Sequence, residues 1–294
     1  MLTLQKITLD KKEIFSKYYK NMEASIYNFT NLYMWSGNGN IKYAETDGFI
    51  IPVFQFGKNP PTALFPVGEG DFESSVMKTV SFLKDREANP VFSQLTDKMV
   101  KKMQEYFPNK FEYIPNRNTA DYVYEVEKMI THSGKKLHSK KNHLNYFKKT
   151  YNFEYRTLSE VDMPLCKRLF EAWHKEKDDS LKLIGESKDA TFRVLDNFNA
   201  LGVKGGGIYI DNKLIAFSIG EQITDDMALI HLEVANPLYR GAFNIINQQF
   251  CENQWYDLKY VNREEDMGLE GLRKAKLAYN PIFLIDRYNA VLKD

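Results

Sequence analysis

Two short segments carry side chains whose types and spacing could do chemistry. In HLEVAN (231–236) an extended chain puts His231 and Glu233 on one face, with Ile230, Leu232 and Val234 on the other. A carboxylate or imidazole there can take a proton from an amine acceptor. Such an amine, with a pKa of about 7.7–8.0 if it is an α-amine and about 10 if lysine-like, is otherwise largely charged. Glu233 is the first candidate for that base and His231 the second; a His–Glu pair holding each other across a sheet is the alternative. In VNREEDMGLEGLRKAKLAYNP (261–281), Arg263, Glu264, Glu265 and Asp266 fill what reads as a strand-to-helix turn, a place where α/β folds put ligand groups. Asp266 suits the N-cap of the following helix, and Arg273, Lys274 and Lys276 suit its late turns. Helix chemistry does not require Glu264 and Glu265. Consecutive acids repel one another, so they read as acceptor-amine binding or proton-accepting residues. Arg263, Arg273 and Lys276 read as facing a donor's phosphates.

Two further segments could hold a phosphate-bearing partner. Residues 128–153 contain seven lysines, three histidines and no acid, in a chain with 39 acidic residues. From Lys135 to Tyr151 the apolar Leu137, Leu144, Phe147 and Tyr151 form one helical stripe. Lys136, Lys140, Lys141, His143 and Lys148 lie mostly off it. Such a flank suits a phosphodiester backbone, where each lysine releases counterions, or the headgroups of an anionic lipid surface. Lys135, Lys136, Lys140 and Lys141 are therefore donor-binding candidates, with a solvated surface helix as the plain alternative. In VANPLYRGAFNIINQ a strand gives way to a helix, and Gly241 can simply help start that helix.

An ordinary globular chain must position these groups. Of its 294 residues 43% are hydrophobic and 27% charged, and a net charge of +1 selects no partner. No apolar run approaches the roughly 20 residues of a membrane span. The opening MLTLQKITLDKKEIF lacks the order of a leader peptide, so the cytoplasm is the expected compartment. Cys166 and Cys251 sit in helix-like apolar patterns and read as buried thiols. The five histidines show no metal-ligand spacing, so no metal site is expected.

The chain reads twice with one template. The first pass runs LTLQKITL (strand), KKEIFSKYYKNMEA (helix), IKYAETDGF and FIIPVFQF (a hairpin through Asp47-Gly48), TALFPVG, a helix entered at Asp71, PVFSQL, the helix DKMVKKMQEYF, and a last strand DYVYEVE. The second runs FEYRTL, helices LCKRLFEAWHKEK and KDATFRVLDNFNAL, then GGIYI and LIAFSIGEQ joined at Asp211-Asn212. MALIHLEVAN follows, then a helix with Phe243, Ile246 and Phe250 on one face, LKYVN, GLEGLRKAKLAY and a final strand IFLIDRYN.

That order is similar to the Gcn5-related N-acetyltransferase fold in both halves. More narrowly, GKKLHSKKNHLNYF (134–147), GGGIYI with LIAFSIGE, HLEVANPLYRGAFNIINQQF and NREEDMGLEGLRKAKLAYNP resemble the C-terminal domain of phosphatidylglycerol lysyltransferases and its soluble relatives of unknown function. The resemblance spans most of residues 128–288. It implies an α+β protein of two tandem acyltransferase-like domains, each a mixed, mostly antiparallel sheet flanked by helices. Residues 1–127 would be the supporting domain, and residues 128–294 would carry the basic helix and the cleft. It does not imply the lysyltransferase reaction itself, because those enzymes deliver product into a membrane through a large transmembrane portion.

In such acetyltransferases an Arg/Gln-x-x-Gly-x-Gly/Ala loop holds the pyrophosphate of coenzyme A on backbone N–H groups. Arg240 fits its first position, but Phe243 and Ile245 replace the small residues, and bulk hinders close backbone approach. Related transferases that use aminoacyl-tRNA share the fold without that loop. The expected function is aminoacyl transfer from aminoacyl-tRNA to an amine or hydroxyl, with a small molecule or lipid headgroup as acceptor. Glu233 or the Glu264/Glu265 pair would be the base, with no required cofactor and tRNA or another polyanion as partner. A coenzyme A-dependent N-acyltransferase is the alternative in the same class. A non-catalytic RNA- or polyanion-binding protein is the alternative in another.

Overall fold

The computed structural model describes residues 2–175 and 183–293. Along the first part of the chain lie β1 (Gln5–Lys6), α1 (Lys12–Tyr18), α2 (Phe29–Trp35), β2 (Ile41–Thr46), β3 (Phe49–Phe54), β4 (Thr62–Leu64), β5 (Val67–Gly68), α3 (Phe72–Lys84), β6 (Val91–Leu95), α4 (Asp97–Tyr106) and β7 (Phe111–Pro115). Then come β8 (Asp121–Glu125), α5 (Val126–Thr131), α6 (His138–Thr150), β9 (Glu154–Leu158), α7 (Met163–Lys175), α8 (Leu183–Asp196), α9 (Phe198–Leu201), β10 (Lys204–Ile210), β11 (Lys213–Gln222) and β12 (Met227–Ala235). The chain closes with α10 (Ala242–Gln254), β13 (Tyr260–Asn262), α11 (Glu270–Leu277), β14 (Phe283–Ile285) and β15 (Tyr288–Leu292). No helix among the described residues is long and apolar enough to cross a membrane.

Local chemistry accounts for many boundaries. Asp47 (φ +53°) and Gly48 (φ +85°) turn β2 into β3, and Asp211 (φ +48°) and Asn212 (φ +60°) turn β10 into β11. These residues tolerate the left-handed backbone that tight hairpins need. The Asp71 side chain accepts the Ser74 N–H at 2.8 Å and caps α3. The helix expected over 11–24 stops at Tyr18, and Asn21 just beyond it adopts φ +61°. The helix expected over 165–177 is α7, and its last two residues lie outside the described residues.

Two sheets form, ordered β1-β2-β3-β4-β6-β15-β7 (β5 also pairs β3) and β14-β8-β13-β12-β11-β10-β9. Each contains a parallel pair, β4 with β6 and β12 with β13. The expected halves are corrected at both ends. The compact units are residues 1–120 with 285–294, and residues 121–284. DYVYEVE, expected to finish the first half, supplies β8 between β13 and β14. IFLIDRYN divides into β14 in the second sheet and β15 between β6 and β7 in the first. The reason is physical: alternation marks a strand and its buried face, while the choice of neighbour is a long-range pairing that local pattern does not encode.

In the second unit α10 is seated on the sheet by two apolar clusters. Phe250, Cys251 and Trp255 meet Tyr122, Tyr124, Ile230 and Val261. Ala242, Ile245 and Ile246 meet Leu144 and Phe147 of α6 and Ile208 of β10. This rotation leaves Phe243 exposed, against its expected place on the buried face beside Ile246 and Phe250. Cys166 and Cys251 are buried free thiols, and burial pushes both up to about 12.

Candidate functional site

The site is built at a fork in the second sheet. β12 pairs with β13 only where Met227, Ala228 and Leu229 meet Tyr260, Val261 and Asn262. Beyond that, β12 continues alongside β11 as far as Ala235, while the chain after Asn262 parts from β12 and stays bonded to Tyr122 of β8 through Arg263 and Glu264. Within β12, Gly220 faces Ile230 and Ile219 faces Leu232, so His231 is an extra residue, a β-bulge. The bulge reverses the alternation. Ile230 packs on the α10 side, and Glu233 also reaches α10, bonding Asn247 Nδ2 at 2.9 Å. The expectation that strict alternation sets His231 and Glu233 on one face is thereby corrected.

His231 has a buried side chain held between two carboxylates, Glu221 at 2.9 Å from Nε2 and Glu264 at 3.2 Å from Nδ1. Burial opposes its charged form, but the bonds to Glu221 and Glu264 outweigh burial and raise its pKa to about 9. It is an imidazolium at neutral pH with both N–H groups donating, so it orients Glu264 and has no lone pair to offer as a base. Glu264 sits at φ +57°, with its N–H on Asn262 Oδ1 (2.8 Å) and its carbonyl accepting the Tyr122 N–H (3.1 Å). Asn262 in turn donates to Asp121 of β8 at 2.8 Å. The acidic turn is therefore pinned from both neighbouring strands.

Glu233 is engaged as well. It accepts Arg263 Nη2 at 2.7 Å, and both side chains are only 14% exposed. Arg263 lies 5.0 Å from the Tyr279 ring centroid and 5.7 Å from that of Tyr124. It is an internal counter-ion, which corrects its expected role as a donor-phosphate ligand. Lys140 turns away from the basic flank of α6, with its ammonium 4.4 Å from the Tyr279 centroid. Burial, then repulsion from Arg263, lowers its pKa. Lys135, Lys136 and Lys141 are exposed.

Three expected roles in the 261–281 segment change. The N-cap position of α11 is Leu269, so Asp266 does not cap that helix. It is fully buried and accepts Arg273 Nε (2.8 Å), Arg273 Nη2 (2.9 Å) and the Tyr122 hydroxyl (2.5 Å). Although burial opposes its ionisation, these partners hold its carboxyl well below the usual range. Arg273 is thus committed to Asp266 rather than to phosphates. Lys276 points inward, donating to the carbonyls of Arg263 and, at 3.1 Å, Glu264. Burial first, then Arg263, lowers its pKa to about 8.

Glu265 remains. Burial, reinforced by the charges of Glu264 and Asp121, raises its pKa to about 7. A carboxyl poised near neutrality can both take and return a proton. Of the groups that tune Glu265, the sequence flagged Glu264 and Lys276 but not Asp121. Glu221 of β11, Asn247 of α10 and Tyr279, just past α11, hold His231, Glu233 and Arg263, and they reach the fork only through the fold. No local signal marks them.

The turn at Gly241 does not fit a pyrophosphate. Gly241 adopts φ +89°, and a Cβ there would lie 2.7 Å from the His143 carbonyl oxygen, so α6 covers this helix start. The N–H groups of Ala242, Asn244 and Ile245 are already accepted by the carbonyls of Tyr239 and Gly241. Ile245 is fully buried, and Arg240 stacks on Tyr146 with its guanidinium 4.6 Å from the ring centroid.

Known proteins share this architecture. A conserved protein of unknown function from Bacteroides thetaiotaomicron has a TM-score of 0.92 and 30% identity, covering all of both chains. L-PGS from Bacillus licheniformis gives 0.68 at 14% identity, over 99% of this chain and 93% of that one. A tandem GNAT protein of the clavulanic acid biosynthesis pathway gives 0.50 at 9% identity, over 100% and 99%, a likeness of fold. An uncharacterized protein of Mycoplasmoides gallisepticum is 27% identical over 63% of this chain, and the match spans 60% of that relative's length. The fold is that of tandem acyltransferase-like α+β domains. The family model described as phosphatidylglycerol lysyltransferase, C-terminal, matches residues 19–291, and the chain belongs to that family.

Proposed function

We propose that the fork of the second unit transfers an acyl group carried as an ester, aminoacyl from aminoacyl-tRNA, to an amine or hydroxyl acceptor such as a small molecule or a lipid headgroup. The observation that carries the reading is the acidic turn at the fork, where His231, Asn262 and Lys276 hold Glu264 and the half-buried Glu265 beside it is pushed up to about 7 by burial and by Glu264 and Asp121. The acceptor's lone pair attacks the ester carbonyl carbon while Glu265 takes the acceptor's proton. The tetrahedral intermediate then collapses, the bond to the 3′-oxygen breaks, and Glu265 returns the proton to that leaving oxygen. No covalent intermediate is needed; positioning and stabilisation of the oxyanion suffice. Glu233 and His231 act as positioning residues, one holding Arg263 and the other Glu264.

The closed turn at Gly241 favours a donor that brings no pyrophosphate there. The exposed Lys135, Lys136, Lys141 and Lys148 offer charge to a phosphodiester backbone. Such a donor implies the cytoplasm as the place of action. The test incubates the full chain with bulk tRNA charged with labelled amino acids and an extract of small molecules and lipids. Wild type should move label to non-RNA product, and Glu265→Gln should slow this by about 100-fold or more while tRNA retention on filters stays within about twofold. Equal rates remove Glu265 from the chemistry. No retention at low salt, with no transfer, removes the tRNA donor.

A further inference from the structure

We infer that Arg263 and Asn247, clamped by Glu233 and covered by a movable Lys140, form a second binding site, for a small free carboxylate with an amino or hydroxyl group beside it. Two polar atoms point to it. Arg263 Nη1 and Asn247 Oδ1 are both buried and have no hydrogen-bond partner among the described residues. One carboxylate holds the two side chains, Glu233 accepting Arg263 Nη2 at 2.7 Å and Asn247 Nδ2 at 2.9 Å. A carboxylate only accepts, so the Asn247 amide is fixed with its nitrogen on Glu233 and its oxygen turned elsewhere. A fixed donor and a fixed acceptor thus remain, one on each arm of the clamp. Burying such groups unmatched is costly, and a ligand that both accepts and donates removes the cost.

Charge sets the sign of the ligand. Glu233 balances Arg263 through Nη2. The Lys140 ammonium rests 4.4 Å from the Tyr279 centroid, repelled by Arg263 and attracted only by the already paired Glu233. His132, its ring centroid 6.0 Å from that of Tyr279, is held below its ordinary pKa by burial and is neutral at pH 7. The surplus is therefore positive, and it belongs to Lys140. That side chain is also the cover: it is half-buried, whereas Asn247, Tyr279 and His132 are buried. Its flexible stem can swing off the ring, and its ammonium then meets the entering anion. A phosphodiester brings the same charge but carries a covalent arm on each side, while a carboxylate ends its molecule and fits a closed cluster. An aminoacyl ester has no carboxylate at its reacting carbon. The ligand is thus a free amino or hydroxy acid rather than the donor proposed above, and this site does not require acyl transfer.

The test is calorimetric titration of the full chain, without tRNA, with the common L-amino acids and L-2-hydroxy acids, each beside its methyl ester. One or more acids should bind, and the matching ester, which keeps the donor and loses the charge, should bind about tenfold more weakly or worse. Lys140→Gln should weaken the acid about tenfold with circular dichroism as in wild type, and Lys140→Arg should restore most of the loss. Glu265→Gln should bind the acid as wild type does. Failure of every acid to bind overturns the inference. So does an ester that binds as well as its acid, or a Lys140→Gln variant that binds like wild type. Loss of binding in Glu265→Gln alone would put the ligand at the acidic turn and refute this site. A chain that binds an acid here but transfers nothing from aminoacyl-tRNA refutes the proposed function and leaves the carboxylate site standing.

Discussion

The two units contain the same fork and fill it differently. In the first, β4 pairs in parallel with β6 at Ala63–Phe92 and Leu64–Ser93, then leaves it while β5 stays with β3. In the second, β12 leaves β13 and stays with β11. Past the split the first chain runs into Phe65, buried against Phe72 with ring centroids 5.2 Å apart. At the corresponding place the second carries a bulged histidine, Glu233 and, from the other arm, the acidic turn. Apolar side chains close a fork by packing. Buried charges keep it closed only by pairing, which concentrates perturbed carboxyls where strands part. Shared topology thus supplies the place, and the residues beyond the split decide whether it becomes a site.

Substitutions at the two forks should separate these roles, the largest effect first. Phe65→Ala should cost about 3–5 kcal/mol in urea denaturation through a cavity in the first unit, with the proposed acyl transfer unchanged in the folded fraction; a loss of transfer would give the first fork a functional part. Glu233→Ala leaves Arg263 partly buried without its carboxylate and should cost about 3 kcal/mol. Replacing both, as Glu233→Leu/Arg263→Met, should recover much of that, and no recovery would show that the pair is not what the site balances.

Smaller effects follow from titration and backbone strain. The pKa of His231 is raised from 6.5 to about 9. Its stabilisation is therefore complete below about pH 6.5 and lost as pH rises through about 9. Thermal unfolding of wild type against His231→Gln should show a difference that shrinks by roughly 3 kcal/mol across that window. Glu265, raised from 4.5 to about 7, makes stability fall as pH rises through an earlier window, from 4.5 to 7. A flat difference for His231→Gln would mean that the two carboxylates do not hold the charged ring. Gly241→Ala, at φ +89° and facing the His143 carbonyl, should cost about 1–3 kcal/mol, and a neutral result would open the α6–α10 contact to a ligand after all.

Much of the fold was legible because it is local. Asp-Gly and Asp-Asn turns, the Asp71 cap and the apolar stripe of α6 each act over a few residues. The domain boundary was not, because β8 and β15 are exchanged between the two sheets and nothing within DYVYE or YNAVL names its neighbour. At the site, residue types at 231, 233, 264 and 265 were readable and their partners were not. A one-residue bulge reverses a face without leaving a composition signal, and Lys140 and Lys276 turn inward because of aromatic rings and carbonyls far away in sequence. Asp266 matched a cap by spacing, but α11 begins at Glu270, and the carboxylate is taken by Arg273 and Tyr122.

The most direct test of the account is the ionisation of Glu265 itself, followed through its side-chain carboxyl carbon by NMR between pH 3 and 9 in [13C]-glutamate-labelled protein, with Glu265→Gln used to assign the signal. A midpoint near 7, as the half-buried turn and its neighbouring carboxylates imply, would give the second fork a carboxyl able to exchange protons at neutral pH. A midpoint near the ordinary value of 4.5 would leave the acidic turn without its base and contradict the central claim.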